Sequence, residues 1–300
     1  MAKGLDIRRR IKSVKSTRSI TKAMQMVAAS KMRRAQEQAL RSRFFAQKAL
    51  EILAAVSEKI TDYSHFLLQK SEGKRFLILL VTSNKGLCGS LNANVIRKTL
   101  EFMQEKGARD AEFHFVTVGK KGRDTFIRLG QAILADFSEM ADALTSLHVL
   151  QLTKYLLDEY RLGKFDRVYL VYSHFFSVLN QKPIIKRVVP LGRDLLESLK
   201  EIEDHYASKS ESYDYILEPS PQAVLEELLP RFVEMQIYQA LLEAQAAEHS
   251  ARMVAMKSAT EAAGDLIDDL TLTYNKTRQA AITQEIAEIV GAVEALKRKS

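Results

Sequence analysis

The sequence predicts an α/β protein with long helices, in which the N- and C-terminal helices pair as an antiparallel coiled coil and a central open α/β sheet domain lies between them in the chain. Three observations carry this reading. Residues 231–297, 67 in all, contain no proline and only two glycines, Gly264 and Gly291. Residues 6–60, another 55, contain neither glycine nor proline. Between them the apolar period changes from threes and fours to short continuous runs.

The N-terminal segment comes first. Ile7, Ile11 and Val14, then Ile20, Met24 and Val27, then Ala28, Met32, Ala35 and Ala39 mark a helical seam. Its middle is built of small side chains, Ala23, Ala28, Ala29, Ser30, Ala35 and Ala39, which let a second helix approach closely. Leu50, Leu53, Val56 and Ile60 continue as a conventional apolar face, and Gly73 reads as a stop after Lys70. The net charge of +8 is concentrated here, because residues 1–48 hold fourteen Lys or Arg against Asp6 and Glu37. A helix this basic can meet nucleic acid, an anionic membrane, solvent or an acidic protein. Aromatic residues do not interleave with the early basic ones, which argues against base stacking.

From Phe76 the pattern is that of a sheet. Phe76 to Thr82 (FLILLVT) is a short apolar run suited to a buried parallel strand. Further strands are expected at Phe113 to Val118, Ala132 to Phe137 and Val168 to Ser173, with helices at Asn94 to Met103, Arg123 to Leu129 and Asp142 to Tyr160. This alternation makes the domain Rossmann-like. Val178 and Ile184 flank Asn180, Gln181, Lys182 and Pro183, so a hairpin turning there is expected to end the sheet as an antiparallel edge. Residues 195–212 read as linker with a short helix at LLESLKEI, and Tyr213 to Leu217 as a short strand. Pro219, Ser220 and Pro221 precede the last helix, where Pro230 fits only as a kink or early-turn residue. The expected segments are 1–73 (N-terminal coiled-coil helix), 74–192 (α/β domain), 193–221 (linker) and 222–300 (C-terminal coiled-coil helix).

The last helix would span roughly 100 Å at about 1.5 Å per residue, against a diameter of about 50 Å for a compact globule of this length. It is expected to project, with the N-terminal helix as its partner. Alanines at 251, 255, 259, 262 and 263 match the small residues of that partner. Beyond the pairing, Ala281, Ile282, Ile286, Ile289, Val290, Val293 and Leu296 form a wide apolar face at a free end.

Signs of catalysis are scarce. The loop Ser83 to Asn92 (SNKGLCGSLN) follows the first strand, where a dinucleotide would bind, but lacks Gly-x-Gly-x-x-Gly, and no Gly-x4-Gly-Lys-Ser/Thr occurs. Gly86 and Gly89 are expected to shape that turn and Cys88 to pack as a small apolar residue. Gly119 to Gly122 (GKKG) is basic but brief. The six histidines are scattered, and Asp265, Asp268 and Asp269 have no histidine near them in sequence, so no metal, cofactor or catalytic residue is assigned. A single cysteine fits a reducing compartment. The uncharged run 76–84 is too short to cross a bilayer, and no apolar signal segment opens the chain.

At this point the sequence resembles a family. IRRRIKSVKSTRSITKAMQMVAASKMRRAQ (7–36) resembles the N-terminal helix of the γ subunit of F-type ATP synthase, and residues 252–292 resemble its C-terminal helix, including the signature running from Ile282 through Glu285 and Glu288 to Gly291 and Ala292. SNKGLCGSLN is similar to the family's SDRGLCGGLN, with Asn84 for Asp and Ser90 for Gly, and YILEPSPQ is similar to its YxYEPDP stretch. No paired-cysteine insert of the chloroplast type is present.

The resemblance implies a non-catalytic rotor shaft of the F1 sector of a proton-translocating ATP synthase, coupling rotation of the membrane c ring to conformational change at the β catalytic sites. The implied partners are an α3β3 hexamer, the ε subunit and the c ring, with δ indirect and one copy of the chain per complex. No nucleic acid is implied, and membrane association is through the complex only. The implied location is the cytoplasmic face of the cell (inner) membrane, as a peripheral protein. Matched positions imply hexamer contacts at Ile20, Thr21, Lys22, Met24, Lys31, Arg33, Arg34, Arg252, Arg278, Gln279, Thr283 and Glu285, and ε or c-ring contacts at Tyr213, Tyr215 and Glu218. Met24 can equally belong to the coiled-coil seam. The competing reading is a basic coiled-coil protein that binds nucleic acid or membrane and carries a nucleotide-binding α/β domain.

Overall fold

A computed structural model describes residues 2–58, 65–69, 71, 73–106, 111–141, 144–191 and 217–297. The elements run in the order α1 (Ala2–Glu58), β1 (Arg75–Val81), α2 (Leu91–Lys106), β2 (Glu112–Val118), α3 (Lys120–Arg128), β3 (Ala132–Asp136), α4 (Ser146–Arg161), β4 (Arg167–Ser177), β5 (Asn180–Val189) and α5 (Pro221–Lys297), with a 3₁₀ turn at Ser138–Ala141. The chain divides into two compact units, one of 1–28 with 253–300 and one of 29–252, so both divisions fall inside the long helices.

The larger unit holds a five-stranded sheet in the order β3-β2-β1-β4-β5. β1 pairs parallel with β2 and β4, placing Ile78 between Phe115 and Tyr169, and β2 pairs parallel with β3. Six of the seven β1 residues are buried, because both faces of this central strand are covered. On one face Leu77, Leu79, Val116 and Leu170 pack with Leu152 and Leu156 of α4, Leu53 and Val56 of α1, and Leu229, Phe232 and Ile237 of α5. On the other, Ile78, Leu80, Phe115 and Val171 pack with Val95 and Phe102 of α2 and Phe126 of α3.

β5 closes one edge antiparallel to β4. The turn lies at Val178 and Leu179, not at Asn180 to Pro183; those residues belong to β5, where Pro183 sits opposite Ser173. An edge strand accepts proline because one of its rows of N–H groups needs no strand partner.

Two helix limits also differ from expectation. α1 ends at Glu58 and His65–Gln69 already turn, so Gly73 is not its stop; a Cβ at Gly73 would lie 2.1 Å from the Asp166 carboxylate. α5 begins at Pro221, which has a proline's natural place in a first turn, and Pro230 lies within it. The helix expected at 195–202 and the strand expected at 213–217 fall outside the described residues, apart from Leu217.

The GKKG turn is used for packing. Gly119 has φ +105, and a Cβ there would meet the Thr82 carbonyl oxygen at 1.9 Å. A Cβ at Gly122 would meet Leu80 and Thr82 at 2.8 to 3.0 Å. The glycines let α3 start against the end of β1, where the Gly122 N–H donates to Thr82 Oγ1 at 2.8 Å.

Candidate partner interface

The smaller unit is a pair of antiparallel helix segments, 2–28 of α1 and 253–297 of α5. Thr260 Oγ1 donates to Thr21 Oγ1 at 2.8 Å, and Thr21 Oγ1 donates to the Arg18 carbonyl at 3.0 Å. One turn away, the Arg18 guanidinium lies 3.6 Å from where a Gly264 Cβ would stand. Moving one heptad outward from the threonine pair reaches Val14 and Ile267, and two heptads reach Ile7 and Tyr274, all buried or half-buried. Past Ala281 the pairing surface stops. Every residue from Ile282 to Gly291 is exposed, including Ile286 at 56% and Ile289 at 65%. At about 100° per residue, Ile282, Ile286, Ile289 and Val290 share an exposed face about 100° wide, with none of the described residues of this unit covering it.

The small seam residues divide by direction. Ala28, Ala35, Ala39 and Ala263 are buried, whereas Ala23, Ser30 and Ala262 are exposed, so the small-residue stripe is narrower than the sequence implied.

The residues singled out as contacts also divide. Ile20 is 58% exposed, Lys22 is exposed, and Met24 is half-buried at the border of the seam. Val27, at i+7 from Ile20, is 57% exposed and extends the same apolar strip, so Ile20 and Val27, expected in the seam, lie on a face turned away from it, where Thr21 and Ala28 are buried instead. Met26, at 60%, is exposed on another side. Thr21, by contrast, is buried and bonded within the seam. Arg278, Gln279, Thr283 and Glu285 are all exposed; Arg278 and Glu285 bracket Ile282, and Gln279 and Thr283 share a face with Ile286. Lys31, Arg33 and Arg34, in the larger unit, are exposed, Lys31 just before buried Met32 and the two arginines between Met32 and buried Ala35. Glu218 is exposed, while Tyr213 and Tyr215 lie outside the described residues.

Arg252 points inward. Its guanidinium donates to the Lys85 carbonyl at 3.2 Å and the Gly86 carbonyl at 3.3 Å and pairs with Glu248 at 2.7 Å, both side chains being only 12% exposed. The loop it holds is the SNKGLCGSLN segment. Ser83 N–H donates to Asn92 Oδ1 at 3.0 Å, and Asn92 Nδ2 donates to Ser83 Oγ at 2.7 Å, so the two ends are buttoned together. The left-handed residues are Leu87, φ +63, and Gly89, φ +60; Leu87 takes the role expected of Gly86. Cys88 is buried against Leu91 and Ala247, as a small apolar side chain would be.

The crest of the sheet is where a doubly wound domain would take a ligand, at the diverging ends of β1 and β4. Here Leu241, Ala244, Gln245 and Glu248 of α5 occupy that crevice with Val81, Thr82, Ser83 and Ser173, leaving a void of about 20 Å³, room for about one water. Among the described residues no group of three or more His, Cys, Asp or Glu side chains is placed to hold a metal, and no helix is long and apolar enough to cross a membrane.

Paired long helices with an exposed apolar end, joined in one chain to an open α/β sheet whose ligand crevice is filled by its own helix, define the class of fold. The ATP synthase family profile matches residues 4–296. The chain is 42% identical over 297 residues to the ATP synthase gamma chain of Nitrosospira multiformis, covering 99% of this chain and 100% of that one. It is 44% identical over 291 residues to that of Heliobacterium modesticaldum, covering 97% and 98%. Among solved structures, a chain of the Euglena gracilis mitochondrial ATP synthase (OSCP/F1/c-ring) matches with TM-score 0.65 and 21% identity over 98% of this chain and 95% of that one, a likeness of fold. One from the central stalk/c-ring of the Tetrahymena thermophila enzyme matches with TM-score 0.55 and 25% identity over 80% and 99%. The chain belongs to the ATP synthase gamma chain family.

Proposed function

We infer that this chain is the central rotor shaft of the F1 sector of an ATP synthase, coupling rotation of a membrane ring to conformational change at nucleotide sites on other subunits. The observation that carries the reading is the helix pair ending in an uncovered apolar face, on a chain matched nearly end to end by ATP synthase gamma chains. Proton flow turns a c ring and this chain with it; the chemistry stays in β.

A shaft of this kind acts through differential contact energy. Moving a two-state site from about 1:99 to 99:1 takes about 5.5 kcal/mol of preference for one state. A few well-desolvated contacts at about 1–3 kcal/mol each supply that, provided the shaft presents different faces to different partners. The exposed surface has such faces. Ile20, Met24 and Val27 offer an apolar strip with Lys22 on the opposite side of the helix, Lys31, Arg33 and Arg34 offer charge for acidic loops, and Arg278, Gln279, Thr283 and Glu285 surround the apolar end, which sits in a sleeve of hexamer side chains. Thr21 and Arg252 serve the same surface indirectly, by fixing the seam and the root of the helix. Glu218, with Tyr213 and Tyr215, faces ε or the c ring. The chain is one copy in an α3β3 hexamer with ε, and with δ indirectly, and it reaches the cytoplasmic face of the membrane only through the complex.

Co-expression with candidate α and β subunits tests this. The expected product is a complex of three α, three β and one copy of this chain that hydrolyses ATP. A chain that purifies alone from such cells, and is absent from an otherwise active hexamer, contradicts the reading.

A further inference from the structure

The way α5 sits in the crest of the sheet carries a second conclusion, which rests on the rotor reading. Taking Glu243 as the origin and about 100° per residue, Ser250 lies within about 20° of it, Ala247 and Ala251 at about 40° and 80°, and Glu248, Arg252 and Gln245 at about 140° to 200°. The polar side chains therefore leave the helix from two nearly opposite flanks, with alanines between them.

Each flank is bonded to a different part of the crest. On the first, Glu243, 6% exposed, accepts from Tyr172 Oη at 3.0 Å and lies 2.6 Å from His174 Nδ1, both on β4. Ser250, fully buried, donates to the Val178 carbonyl in the hairpin at 2.8 Å. On the second, Arg252 holds the Lys85 and Gly86 carbonyls while paired with Glu248, and Gln245 Nε2 donates to the Ala141 carbonyl at 3.4 Å. Between the flanks Ala247 and Ala251 rest on Cys88, Leu91 and Phe175.

Alanine contacts alone are smooth and resist rolling poorly, because apolar attraction is non-directional. The ties are directional. A roll of about 20° moves a group about 5 Å from the helix axis by about 2 Å, which takes a hydrogen bond out of range. A roll in either sense must break the ties of at least one flank. We propose that the crest of the α/β domain is a torque-bearing joint, in which Glu243 and Ser250 on one flank and Gln245, Glu248 and Arg252 on the other prevent α5 from rolling within the domain. A ligand crevice has become a grip for the shaft, and Arg252, the last residue of the larger unit, marks its end.

The test uses the assembled enzyme, with the hexamer immobilised and a probe attached to the α/β domain through Leu162→Cys, 68% exposed. The angular variance of the probe at rest is compared among the parent, Glu243→Gln with Ser250→Ala, Arg252→Lys with Gln245→Ala, and all four together. Expected is a rise of about twofold or more for the four-fold variant and smaller rises for each flank. The first pair is decisive, since neither residue belongs to the surface assigned to partners. Unchanged variance in that pair, with amide exchange around residues 174–181 accelerated at least tenfold to show that the ties are broken, overturns the joint. Where the four-fold variant fails to assemble, the single Ser250→Ala gives the same comparison. A parent complex whose probe never rotates with ATP overturns the rotor reading itself and the joint with it.

Discussion

The Asp166 carboxylate holds Arg75 by both backbone and side chain: it accepts the Arg75 backbone N–H at 2.9 Å and the guanidinium Nε and Nη2 at 3.1 and 3.0 Å. Ser71 Oγ donates to it as well, at 2.9 Å. The cluster ties the segment before β1 to the start of β4, and Gly73 is required because no side chain fits over the carboxylate.

These hydrogen bonds, those from Arg75 foremost, hold Asp166 at about 2, below its ordinary 3.8. A depressed carboxylate pKa contributes stability above about pH 3.8 that is lost as the pH falls toward 2. Arg75 is 46% exposed, so solvent screening limits the contribution to about 1 kcal/mol. Urea unfolding of the chain and of Asp166→Asn should show a gap at pH 6 that closes toward pH 2. A gap independent of pH would mean that the carboxylate acts through shape alone.

Gly119 and Gly130 both have positive φ, but only Gly119 has backbone against it. Gly119→Ala is expected to cost about 2–4 kcal/mol, strain plus collision with Thr82, and Gly130→Ala about 1 kcal/mol from φ alone. Thermal unfolding of the two variants orders them; equal losses would show that α3 shifts freely against β1.

Much of this was legible from residue spacing. Runs such as FLILLVT announce a strand covered on both faces, and the absence of proline from 231 onward announces the long helix. Asn180 and Pro183 are common turn residues and point to a turn there, yet pairing against β4 assigns them to the edge strand. Intrinsic freedom points to Gly86 and Gly89 for the loop after β1, yet the left-handed positions fall on Leu87 and Gly89. The inward aim of Thr21 and Arg252 was hidden for a different reason: a helical position reports a face, and only the partner across 239 residues for Thr21, or 166 for Arg252, says whether that face is occupied.

The threonine pair should behave as a unit. Thr21→Val or Thr260→Val alone removes the hydroxyl–hydroxyl bond while the remaining hydroxyl keeps a backbone acceptor, the Met256 carbonyl for Thr260 or the Arg18 carbonyl for Thr21, so each is expected to cost about 1 kcal/mol or less and the double variant about as much as one alone. A double-mutant cycle on thermal stability reads the coupling; strict additivity would show that the two hydroxyls are independent.

Reversal of Arg33 and Arg34 to Glu changes two exposed side chains beside buried Met32 and Ala35, so the fold should hold within about 0.5 kcal/mol for each site while assembly with the hexamer or its coupling weakens. Full coupling in the assembled variant would make these cations merely solvated.

The free end of α5 gives a matching contrast. Deletion of residues 293–300 is expected to leave the unfolding temperature of the α/β domain the same, while retention of the chain in the hexamer falls. Loss of domain stability with retention unchanged would show that the end packs within its own chain.

The most direct measurement is rotation itself. With the hexamer fixed to a surface and a probe on the α/β domain, ATP is predicted to turn the probe in one direction, in steps that stop when ATP is exhausted. Continued ATP hydrolysis by a complex that contains this chain, with the probe stationary, would contradict the account.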